Sequence, residues 1–118
     1  MTLAVMMAAG AIGALLRDEA VALIRRVSVH LGRESGLSPI AVVNLTGALA
    51  IGVLAGAGVR GVALVALGPG LLSGYTTYST WMVESALVSR AKRWTNVTLQ
   101  GCAGIALVVL GIALGRLL

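Results

Sequence analysis

Ser73-Gly74-Tyr75-Thr76-Thr77-Tyr78-Ser79-Thr80-Trp81 is the stretch that decides how this chain folds. Seven of the eight positions from Ser73 to Thr80 carry a hydroxyl, yet the run sits among apolar segments and follows Gly68-Pro69-Gly70. In lipid every backbone N–H and C=O needs an internal partner, so backbone that leaves a helix there must be buried in protein or line a wet cavity. One Ser or Thr alone would bond back to a carbonyl a turn earlier and leave the helix intact. Hydroxyls at this density beside Gly-Pro-Gly predict instead a helix interrupted from Ser73 to Thr80. Carbonyls freed at such a break can coordinate a cation, and the N–H groups of the resuming helix can attract an anion.

Working outward, the rest of the chain reads as membrane. Charged residues make up 11% and hydrophobic residues 58%, where a soluble domain carries about a quarter charged. Mean hydropathy is +1.00. A span needs about 20 apolar residues, so four spans fill the 118 residues as one domain. The expected spans are residues 3–24, 39–59, 62–93 with the break at 73–80, and 95–118. Arg25 to Ser38 reads as a polar loop, with Pro39 in the first turn of the second helix. Gly58-Val59-Arg60-Gly61 reads as a tight connection. The N-terminus has no basic region ahead of its apolar stretch, so the first span is expected to stay in the membrane.

The net charge of +5 does not imply nucleic acid, because the basic residues fall in short clusters between apolar runs, where they orient a membrane chain. Arg25, Arg26, Arg33, Arg90, Lys92 and Arg93 fall on one side, against Arg60 and Arg116 on the other. Six against two predicts one orientation, with both termini outside the cytoplasm. Cys102, the only cysteine, excludes an internal disulfide and reads as a small buried packing residue. His30, the only histidine, reads as a solvated loop residue. No paired acids, phosphate loop or metal spacing appears, so no enzyme is expected.

Gly101, Gly104, Gly111 and Gly115 share roughly one face of the fourth span, and Gly52-x-x-x-Gly56 lies on the second. Small residues so spaced let helices approach closely; packing within the chain and an oligomer interface both fit, and the second is favoured because four short spans hardly enclose a pathway alone. Asn44, a carboxamide within the second span, reads either as a pathway residue or as a helix–helix hydrogen bond. Arg17 reads as a vestibule charge, a snorkelling side chain or a partner of Asp18 or Glu19. Glu84 stands one turn beyond Thr80, in line with the polar stretch.

Three elements then read together: Gly10-Ala-Ile-Gly13-Ala14-x-x-Arg17, Val43-Asn44-Leu-Thr-Gly47, and Ser73-Gly74-Tyr-Thr76-Thr77-Tyr78-Ser79-Thr80-Trp81. In order and spacing they resemble the fluoride-channel family called Fluc or CrcB, which carries G-x-x-G-A-x-x-R, V-N-x-x-G and G-G-x-T-T-F-S-T-F. The resemblance implies an all-α, four-span chain with its third helix broken in mid-membrane, assembled as an antiparallel, dual-topology dimer in a prokaryotic plasma or inner membrane. It implies passive, fluoride-selective export through pores at the dimer interface. It also implies a structural sodium ion at the dimer centre, held by backbone carbonyls matching Ser73 and Thr76. The pore residues match Asn44, Tyr78, Ser79, Trp81 and Glu84, the vestibule arginine matches Arg17, and Asn96 and Gln100 stand where a fourth-span polar track is expected. The chain has no phenylalanine, so Tyr78 and Trp81 replace the family's two pore aromatics. With the uneven loop charges, that points to one subunit of a heterodimer of homologues, altered or silent in one pore. A small multidrug-type proton-coupled exporter and a non-conducting partner subunit are the alternatives; the first would need a membrane carboxylate better placed than Glu19.

Overall fold

The computed structural model describes residues 1–32 and 38–118, and it is helical throughout, without strands among those residues. Helix α1 spans Thr2–His30, α2 Pro39–Gly56, α3 Gly61–Val65, α4 Ser73–Tyr75, α5 Tyr78–Ala86 and α6 Arg90–Gly115; a π-helical segment, Ala66–Leu72, joins α3 to α4. The third pass is therefore α3 through α5. The expected all-α membrane fold is what these elements form. Both α2 and α6 are long and apolar enough to cross a membrane. The chain extends 43 Å along its longest axis, close to the roughly 40–45 Å of a bilayer with its headgroups.

Several boundaries differ from the sequence reading. The first helix does not stop at Ile24 but continues to His30, because Arg25 and Arg26 are good helix formers and nothing breaks the run before Gly32, at φ 58°. His30 is thus the last residue of a helix, not a loop residue. Ser38 caps α2, its Oγ accepting from the Ala41 N–H at 3.0 Å, and Pro39 opens it as expected. Gly58 and Gly61 turn the chain at φ 69° and 65°. The third pass ends at Ala86, and Arg90, Lys92 and Arg93 belong to the first turns of α6, which Ser89 caps. Arg93 reaches back, donating from Nε to the Ser85 carbonyl and from Nη2 to that of Ala86, each at 3.1 Å. It so covers open carbonyls at the C-terminus of α5. Arg33, counted in the loop charge, lies outside the described residues.

The helices meet through glycine. A Cβ on Gly52 would run into the Val108 carbonyl and one on Gly56 into that of Ile112; Gly111 and Gly115 meet the Leu49 and Val53 carbonyls. Positions rise together along the two chains, so α2 and α6 run parallel, backbone against backbone. The same holds for α1 and the third pass: Gly70 meets Met6 and Ala9, Gly74 meets Gly10, and Gly13 meets the Tyr75 backbone. Fully buried large side chains are few, among them Val43, while Leu3, Met7, Ile12, Leu15, Leu99, Ile105 and Val109 face outward. That is the pattern of helices packed by small residues and solvated by lipid. It also divides the glycine face of α6. Gly111 and Gly115 serve packing within the chain, whereas a Cβ at Gly101 or Gly104 would meet nothing within 4 Å. Cys102 is exposed, not buried, on a stretch of α6 it shares with Trp94, Thr95, Thr98 and Leu99.

Candidate functional site

The third pass yields in two different ways. At Pro69, which has no N–H to donate and whose ring crowds the carbonyl four residues back, the helix does not break but widens into the π-helical segment. The true break is narrower than Ser73–Thr80: Ser73–Tyr75 and Tyr78–Ala86 are helical, and only Thr76 (φ −80°, ψ 160°) and Thr77 (φ −146°, ψ 125°) are extended. Most of the hydroxyls therefore flank the break. Thr76 Oγ1 bonds back to the Leu72 carbonyl at 2.9 Å, the local bond that usually preserves a helix.

What holds those two residues out of the helix comes from other helices. Asn44, on α2, accepts from the Thr77 N–H at 2.8 Å and donates from Nδ2 to the Thr77 carbonyl at 2.9 Å. Its carboxamide replaces the peptide group that Thr77 would have met in a helix or strand. Arg17, on α1, donates from Nη1 to the Gly74 carbonyl at 3.2 Å and pairs with Asp18 through Nε at 3.4 Å. Its charge thus sits at the negative end of the upper half-helix. Gly47 leaves room for the Thr76 methyl group, which a Cβ there would strike. Thr77 Oγ1 caps α5, accepting from the Thr80 N–H at 3.4 Å.

These bonds leave two carbonyls without their helical donors. Ser73 would accept from Thr77, whose N–H goes to Asn44; Thr76 would accept from Thr80, whose N–H goes to Thr77 Oγ1. Both residues line one groove of about 730 Å³ that runs along α2, the break and α6. Asn44, Tyr78, Trp81 and Gln100 line it too, as do Gly101 and Gly104. Tyr78 and Trp81 meet edge to face, ring centroids 6.0 Å apart at 85°. Tyr78 is exposed, and the Trp81 Nε1–H is buried without an acceptor among the described residues. Ser79 stands at the start of α5, its Oγ 3.4 Å from Thr77 Oγ1.

Below the groove, Ser85, Asn96 and Gln100 form a chain of hydrogen bonds: Asn96 to Ser85 Oγ at 2.8 Å, and Gln100 to Asn96 at 2.6 Å. Ser85 and Gln100 are the buried polar residues among those described. Glu84 is half-buried, has no hydrogen bond or ion pair among the described residues, and is not among the groove residues. The structure thus brings Asn44, Ser73, Thr76, Tyr78, Trp81 and Gln100 together along one groove and leaves Ser79, Glu84 and Asn96 off its lining. The sequence reading missed Gly47 as a seat for Thr76, and Ser85. A lone serine on an amphipathic helix carries no signal until its partner on α6 is known.

Residues 4–116 match the model of the family described as CrcB-like protein, Camphor Resistance (CrcB). The chain belongs to the CrcB family. A CrcB relative named fluoride-specific ion channel FluC 1, from Geobacillus kaustophilus, is 33% identical over 96 residues, 76% of this chain and 83% of its own. FluC 2 of Mycobacterium bovis is 32% identical over 106 residues, covering 86% of this chain and 81% of that one. FluC 2 of Haloarcula marismortui is 32% identical over 112 residues, 91% and 84% of the two chains. No solved structure matches this CrcB chain.

Proposed function

We propose that this chain is a subunit of a fluoride-selective passive channel that lets fluoride leave the cytoplasm. The curated relatives are named fluoride-specific ion channels, not enzymes. The observation that carries the reading is the two-residue break, held open by Asn44 and Arg17 beside a groove rich in spare donors. Fluoride is tightly hydrated, so a dry path must replace its water with hydrogen-bond donors. Asn44 keeps one Nδ2 hydrogen after bonding Thr77; Tyr78, Ser79 and Trp81 add neutral donors, and the rings add positive edges. None is a fixed cation that would trap the ion. Arg17 then supplies positive potential at the approach, and Glu84 stands beyond the groove as a second polar contact along the path.

The open groove supports a dimer, with a second copy or a homologous subunit inserted antiparallel and covering it. In that assembly the Ser73 and Thr76 carbonyls of each subunit meet at the centre. Uncharged carbonyl oxygens freed from the helix are a donor set suited to a hard cation such as sodium, and a sodium ion there would tie the two breaks together. The uneven loop charge favours a homologue of opposite orientation as the partner.

Fluoride efflux from liposomes tests the reading. Flux is expected from this chain with a homologous, phenylalanine-bearing partner, at a rate well above that of chloride. Absence of flux both alone and with the partner would overturn it. Robust flux from antiparallel dimers of this chain alone would retain the channel and discard the requirement for a homologue.

A further inference from the structure

The start of α6 carries charge that no carboxylate among the described residues neutralises. Arg90 and Lys92 are exposed, and the ion pair found among those residues joins Arg17 to Asp18 on α1. Arg93 is engaged elsewhere, on the Ser85 and Ala86 carbonyls. One turn into the helix the surface changes character. Trp94, Thr95, Thr98, Leu99 and Cys102 line a second groove of about 480 Å³, and Trp94 and Leu99 are 63% and 61% exposed. The Thr95 hydroxyl bonds back to the Ala91 carbonyl at 3.1 Å, so it makes no polar demand on that groove. We propose that this face of α6 seats one anionic phospholipid of the adjoining leaflet, its phosphate between Arg90 and Lys92 and one acyl chain along Trp94 to Cys102. The proposal is independent of which ion the subunit conducts.

Helix geometry argues for this occupant. With about 100° between successive residues, Thr98 and Gln100 project roughly 200° apart, as do Leu99 and Gly101. The second groove is therefore turned away from the face that carries Gln100, Gly101 and Gly104, where the partner subunit is proposed to sit. The same spacing puts Ala91 in line with the groove and sets Arg90 and Lys92 about 100° to either side of it, so two cations straddle its upper end. Helical side chains lean toward the N-terminus, which carries both charges past the apolar part, to the level of the phosphates. From Ala91 to Cys102 the helix rises about 16 Å, close to half of the roughly 30 Å hydrocarbon thickness. Trp94 stands at the boundary, where an amphipathic ring suits the headgroup level. At the same membrane surface α1 ends with Arg25 and Arg26, also exposed. An anionic phospholipid matches both halves of this surface. A zwitterionic one would bring its own cation toward Arg90 and Lys92, and a free anion would leave the groove bare. A second helix would need small residues for close approach, and Trp94 and Leu99 hold it off.

The test places the full chain in phosphatidylcholine vesicles of symmetric composition, so that orientation does not enter, and adds phosphatidylglycerol with brominated acyl chains, whose bromine quenches a nearby indole. The chain has two tryptophans, and Trp81→Phe leaves Trp94 as the sole reporter; should that variant fail to insert, subtracting the signal of Trp94→Phe from that of the unaltered chain gives the same reading. Brominated phosphatidylglycerol is expected to quench Trp94 along a saturable curve, at a lower mole fraction than brominated phosphatidylcholine requires. Arg90→Gln and Lys92→Gln should each raise the half-quenching mole fraction roughly fivefold, the scale of one juxtamembrane basic residue. Arg116→Gln, at the opposite surface, should leave it unchanged. Thr98→Phe fills the groove and keeps both charges, and it should weaken the preference as well. Equal quenching by the two brominated lipids overturns the proposal, as does the absence of quenching by either, the result expected if a second copy covers this face. A preference that the charge variants abolish and Thr98→Phe leaves intact would also sink it, since the basic residues would then gather anionic lipid diffusely, without a seat.

Discussion

Asn44 does for Thr77 what a neighbouring peptide group would do: it takes the N–H and gives one back to the C=O. Unpaired backbone in hydrocarbon costs several kcal/mol per group, so the two bonds matter more than ordinary interhelical contacts, which average about 0.6 kcal/mol. Asn44→Ala should therefore speed hydrogen exchange at the Thr77 amide by at least about tenfold, the equivalent of some 1.4 kcal/mol, and lower the Tm. Asn44→Asp keeps an acceptor for that N–H and loses only the donor, so protection at Thr77 should be largely retained while fluoride flux falls. Equal exchange rates in the two variants would contradict the clamp. At Ser73 the relevant atom is a carbonyl, so Ser73→Gly should leave any sodium dependence of dimer stability unchanged.

Among the elements, glycine positions separate contacts already made from contacts still open. Gly74→Ala and Gly111→Ala would each push a Cβ into a backbone carbonyl. Each should cost about 1–3 kcal/mol or more by overpacking, visible as loss of monodisperse protein in mild detergent. Gly101→Ala and Gly104→Ala should leave the helical signal and subunit folding intact, since nothing within the chain opposes them. A fall in detergent-phase mass in those two variants would mark the partner's surface. Much of this layer was legible in the sequence: the Ser38-Pro39 start of α2, the Gly58–Gly61 turn and the unrest of the third pass all follow from local chemistry. The extent of the break was not. Hydroxyls at Ser73, Ser79 and Thr80 are compatible with helix, and only the reach of Asn44 and Arg17 from other helices selects Thr76 and Thr77. Nor could spacing divide the four glycines of α6, because the division depends on how closely α2 approaches each of them.

On the scale of the whole molecule, the parallel pairing of α1 with the third pass and of α2 with α6 gives two backbone-close pairs, and the groove lies open on one flank. If loop charge governs insertion, tags at both termini should be accessible from outside intact cells; labelling from both sides in equal measure would instead indicate dual insertion. The clamps on the break also set an order of events. Arg17 and Asn44 both precede Thr76 in the chain, whereas Asn96 and Gln100 follow it. A polypeptide is made from its N-terminus, so the groups that receive the bared backbone leave the ribosome before it does. The translocon would handle residues 61–86 with their tertiary partners already synthesised, and an uncapped break need never be exposed to lipid. Circularly permuting the chain so that α1 and α2 came last would reverse that order, and should impair biogenesis even where every contact of the finished subunit could be restored.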